Sequence, residues 1–112
     1  MRVIFVDTSF YIALLNPRDR LHQLAADVYG RLLAETNVRF VTSEPVLAEV
    51  LTRLSIRPEL RRVALYMVAN LANDSRVAVI PQTSALFHDG LDLFRRRPDK
   101  HYSMTDCMSM EI

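Results

Sequence analysis

Two spacings of apolar residues alternate along this chain. Val3-Ile4-Phe5-Val6 is a short continuous run, the pattern of a strand in a parallel sheet covered on both faces. Thr8 to Leu15 then reads as a helix stopped by Asn16-Pro17, because a residue before proline is driven out of the helical region. From Asp19 to Glu35 a second helix is predicted, with Leu21, Leu24, Ala25, Val28 and Leu32 at helical spacing. The next strand ends where Thr42 or Ser43 can cap a helix, and Pro45 is tolerated in that helix's first turn. Val46, Leu47, Val50, Leu51 and Leu54 line one face of it. Pro58 opens another helix reaching about Asn73, with Leu60, Val63, Ala64, Met67 and Leu71 inward. Thr83 to about Arg97 is helical, and a short last helix begins near Ser103, after a loop at Pro98-Asp99. Strands over about 2–6, 38–42 and 76–80, alternating with helices, predict an α/β domain with a parallel sheet.

With 112 residues, half of them hydrophobic, the chain suits one domain over 1–112 with a single core. Its two glycines and five prolines mark no linker or repeat. The apolar start is broken by Asp7 and Asn16, unlike a signal peptide, and no run approaches the ~20 apolar residues of a membrane span. The single cysteine, Cys107, cannot form an internal disulfide. It fits a reducing cytoplasm and the role of a small buried hydrophobe. A net charge of +1 says little about partners, but its distribution says more. Arg95, Arg96 and Arg97 are consecutive, with Lys100 and His101 close by. Such a run is either a solvated face or an edge that contacts phosphates, which arginine forks suit.

This topology can bring three carboxylates to one rim, beyond the carboxyl ends of the strands, where an open parallel sheet gathers its functional groups. Asp7 follows the first strand, Glu49 lies about two turns into the helix after the second, and Asp106 is in the first turn of the last helix. Each also has a structural use. Asp7 can cap the helix that follows it, Glu49 can pair with Arg53 four residues on, and Ser103-Met104-Thr105-Asp106 matches a capping box. Thr8, Ser9 and Thr105 can likewise cap helices or orient ligands and water, and Asp99 is a possible accessory acid.

The stretches VDTSFYIALLN, TSEPVLAEVLTRL and DKHYSMTDCMSM, in that order, resemble the PIN domain, in particular the VapC-type toxin ribonucleases of toxin–antitoxin pairs. The resemblance covers nearly the whole chain. It implies a three-layer fold, Mg²⁺ or Mn²⁺ held by acidic residues, an RNA substrate and a small antitoxin as partner. The antitoxin would insert a helical segment into an apolar groove, with Phe10 to Leu15 as a plausible wall. Asp7, Glu49 and Asp106 match the first three acids of the family's quartet. Hard divalent ions take oxygen ligands, and a metal-bound water can attack phosphorus.

The family pattern continues past the third acid to a fourth, on a further strand, and this sequence ends at Ile112. In the family's strand order, a chain without the last strands leaves residues 2–6 at the sheet's edge. An apolar edge strand invites pairing with another chain, so a homo-oligomer, swapped elements or low stability is expected. A PIN remnant that binds RNA or antitoxin without cleaving is the alternative to a ribonuclease. A phosphatase of the haloacid-dehalogenase type would need an Asp where Ser9 stands. His22, His88 and His101 lack zinc-ligand spacing, and there is no glycine-rich phosphate loop.

Overall fold

The computed structural model describes residues 1–112. In chain order the elements are β1 (Arg2–Phe5), α1 (Thr8–Leu15), α2 (His22–Ala34), β2 (Val38–Ser43), α3 (Glu44–Leu54), α4 (Pro58–Leu71), β3 (Val77–Ile80), α5 (Ser84–Arg96) and α6 (Met104–Met110). The strands form one parallel sheet in the order β1-β2-β3. Arg2 aligns with Val38, and Phe40 with Val77. The α/β class and all three strands agree with the sequence reading, and β1 is an edge as expected. No helix is long and apolar enough to cross a membrane.

Side chains alternate across a strand, so Val38, Phe40 and Thr42 of β2 share one face, and all three are buried. Tyr11 and Ile12 of α1, Val46, Val50 and Leu54 of α3, and Leu60, Ala64 and Leu71 of α4 complete the core around it. Tyr29 of α2 packs on Phe40, ring centroids 5.7 Å apart, and Phe10 packs on Tyr29 in turn. Ser43 caps α3, its Oγ accepting from the Val46 N–H at 3.2 Å.

The structure corrects four readings. β1 is not covered on both faces: Val3 is 65% and Phe5 37% exposed, since β2 is its only strand partner and the outward face lies open. Leu21 and Leu24 are exposed, Leu24 at 58%. Only Ala25 of α2 is buried, because that helix packs on α1 and over Phe40 with no layer outside it. Val63, on α4's outer flank, is exposed as well. Finally, α2 begins at His22 rather than Asp19, because the Asp19 Oδ1 accepts from the Leu21 N–H at 2.9 Å and holds a turn there.

Arg76, just before β3, joins distant elements. Its guanidinium donates to the carbonyls of Leu33 (2.9 Å), Glu35 (2.6 Å), Leu32 (3.4 Å) and Val38 (3.3 Å). It also lies 5.6 Å from the centroid of the Phe40 ring. The last carbonyls of a helix lack intrahelical donors, and here one cation supplies them for α2.

Two expectations follow from the fold. A Cβ added at Gly30, inside α2, would meet nothing within 4 Å. Gly30→Ala is therefore expected to stabilise the protein by about 0.5–1 kcal/mol through helix propensity, read as a higher urea midpoint with unchanged slope. The open β1 edge with Val3 outward predicts concentration-dependent association in sedimentation equilibrium, weakened by Val3→Lys. A parent that stays monomeric at every concentration would refute it.

Candidate active site at the strand ends

Because the strands are parallel, the ends of β1 and β2 open on the same rim. Asp7 follows β1 directly and caps α1. Its Oδ1 accepts from the Phe10 N–H at 3.0 Å and from the Ser9 hydroxyl at 3.1 Å. That leaves Oδ2 without a protein donor on an exposed residue. Glu49, in the middle of α3, has a side chain 27% exposed. Its Oε2 accepts a long hydrogen bond, 3.4 Å, from the hydroxyl of buried Thr8, while Oε1 lies 3.7 Å from Arg53. Thr8 thus links the residue next to Asp7 to Glu49 across 41 positions of sequence.

Asp106 is carried by α6, which packs against α3 as α3 packs against α1. Its Oδ2 accepts from the Ser103 N–H, and its own N–H donates to the Ser103 Oγ, both at 3.0 Å. The capping box read from the sequence is present. Thr105 is half-buried beside it.

Beneath Asp7 lies a buried polar chain that sequence reading missed. The Thr42 hydroxyl, fully buried, donates to the Val6 carbonyl at 3.0 Å. Tyr11 is buried nearby, and burial pushes its phenol up to about 12, so it stays protonated. Glu44 was missed too. Its Oε1 accepts from the Gln82 N–H at 2.7 Å and ties the segment after β3 to the start of α3. An acid directly after the cap Ser43 was the one available signal.

The basic run divides. Arg95 pairs with Asp92 at 3.4 Å, and Arg96 donates to the Asp92 carbonyl. Arg97 and Asp99 form a two-pronged pair, both bonds 3.2 Å, and the Arg97 hydrogen bond holds the Asp99 carboxyl below its ordinary range. Asp99 therefore serves Arg97, and Lys100 is exposed in the loop beyond.

The three acids offer hard oxygens of the kind Mg²⁺ or Mn²⁺ prefers. Their placement does not match the expected ligand set, however. No three Asp, Glu, His or Cys side chains stand close enough to hold one ion. One oxygen each of Asp7 and Asp106 is committed to a helix cap, and Glu49 divides between Thr8 and Arg53.

A parallel β1-β2-β3 sheet with an acid after its first strand, a second acid on the helix after β2 and a third on the last helix defines a PIN-like domain. The family model for the PIN domain matches residues 4–111, and the chain belongs to that family. It is similar to a VapC20 toxin of Mycobacterium tuberculosis, whose crystal structure is that of a sarcin-ricin loop cleaving toxin. The TM-score is 0.81 at 30% identity, over 96% of this chain and 78% of that one. Among curated proteins none matches.

Proposed function

We propose that this protein is an endoribonuclease toxin of the VapC type, hydrolysing RNA phosphodiester bonds at the rim that carries Asp7, Glu49 and Asp106. The observation that supports it most is the Thr8–Glu49 bond, which brings the second acid to the helix that Asp7 caps, within a fold similar to a ribonuclease toxin. In this reading the free Oδ2 of Asp7 and the half-buried Glu49 carboxylate face the scissile phosphate region. The caps on Asp7 and Asp106 keep those carboxylates in fixed rotamers. Mg²⁺ or Mn²⁺ is the proposed cofactor class on donor chemistry alone. A small antitoxin is the proposed protein partner, seated in the apolar clefts that flank Phe10 between α1 and α2 and reach Asp7.

A second reading, a PIN domain that binds RNA or antitoxin without cleaving, is favoured by one observation: the three acids do not assemble into a ligand set. Calorimetric titration with Mn²⁺, paired with cleavage assays on a sarcin-ricin-loop hairpin and on unstructured RNA, separates the two. Binding with cleavage supports the nuclease. RNA binding with neither Mn²⁺ uptake nor cleavage supports the second reading.

A further inference from the structure

Between the end of α5 and the start of α6 lies a cavity of about 480 Å³, lined by Phe94, Arg97, Lys100, His101, Tyr102 and Ser103 among others. Its make-up is unusual for this molecule. Phe94 is 47% exposed at the end of a helix otherwise closing on arginines, and Tyr102 stands half-buried in the opposite loop. Arg97 is fixed in place by its two bonds to Asp99. Lys100 and His101 enter no ion pair. Ser103, in the wall, is bonded in both directions to Asp106, so the cavity adjoins the third candidate acid.

We propose that this cavity is a nucleotide subsite, taking one unstacked base of single-stranded RNA against Phe94 and Tyr102 and its phosphate beside Lys100 and His101. The inference rests on the ribonuclease reading above and adds where the strand lies. Aromatic faces and cations in one concave site are what single-stranded RNA needs, because each base offers a π-face and each linkage a negative charge. A duplex would present no free base to the rings. The sequence run Arg95-Arg96-Arg97 is only partly used: Arg95 and Arg96 are turned to Asp92 on α5, and the working groups are Lys100, His101 and the two rings.

The test is fluorescence anisotropy of a labelled single-stranded oligoribonucleotide of mixed sequence, read over a salt series. Parent protein is compared with Tyr102→Ala, Phe94→Ala and Lys100→Ala, and with Arg62→Ala on α4 as a distant cation. Tyr102→Ala is expected to weaken binding about tenfold. Lys100→Ala, a change in an exposed loop side chain, is expected to flatten the logarithmic salt slope by about 0.7. Arg62→Ala should match the parent. If the parent binds the RNA and the three cavity variants bind it equally well with the same slope, the subsite is overturned and the ribonuclease reading stands. If the parent binds no RNA at all, both fall together.

Discussion

Asp7→Asn is expected to cut RNA cleavage by about a hundredfold or more while leaving stability within about 1 kcal/mol of the parent. The two halves of that result come from different atoms. The structural work of Asp7 is done by Oδ1, which accepts from Phe10 and Ser9. An asparagine carbonyl can accept both bonds, and asparagine caps helices about as well as aspartate. The amide loses the negative charge, and with it about 0.3–1 kcal/mol of attraction to the helix dipole. It also loses the carboxylate at the rim. Urea denaturation and a cleavage time course on one preparation give both numbers. Full activity in a folded Asp7→Asn protein would reduce Asp7 to a helix cap. Loss of both activity and stability would leave its catalytic part undecided, and Asp106→Asn, which can also keep its capping box, would then be the deciding variant.

Gly90→Ala is expected to destabilise the protein by about 1–2 kcal/mol and to lower cleavage with it. Alanine is the better helix former by about 1 kcal/mol, so the sign depends on what the new methyl meets. A Cβ at Gly90 would lie 2.7 Å from the Met108 Cγ, 3.1 Å from its N and 3.2 Å from its Cα. The methionine side chain can swing aside, but the backbone of α6 cannot without moving the helix, and overpacking of this kind costs about 1–3 kcal/mol. Met108 is two residues beyond Asp106, so a displaced α6 carries the third acid away from α3. The contrast with Gly30 is the control: the same substitution, also within a helix, is expected to stabilise there. A Gly90→Ala protein more stable than its parent would mean that the α5–α6 approach is looser than described.

What the sequence revealed divides along a physical line. Local signals were legible: the caps at Asp7, Ser43 and Ser103 depend on residues within a turn of one another, and so do the bounds of α1 and β3. Asp7 and Asp106 were legible as candidates because strand ends and helix starts are local features, and Glu49 through the family resemblance of the stretch around it. Exposure of Val3, Phe5, Leu24 and Val63 was not, because an apolar period says which face a helix or strand would bury and not whether anything lies there. Glu44 meeting Gln82, and Thr42 meeting the Val6 carbonyl, join residues that no short-range pattern connects. The Asp7 cap, the Glu49–Arg53 pair and the Ser103–Asp106 box were each legible, but the Thr8 hydroxyl that takes the other Glu49 oxygen lies 41 positions away and was not.

The guanidinium of Arg76 has a consequence for how the molecule opens. It holds carbonyls at the end of α2 and the start of β2 from a position 38 to 44 residues further along, so α2 cannot fray at its last turn without releasing the entry to β3. Cooperative units of local unfolding are defined by such shared bonds. Amide protons of Leu32 to Glu35, Val38 and Val77 should then exchange with deuterium at one common opening rate, as a single unit far from the acidic rim, while the exposed β1 edge exchanges ahead of it.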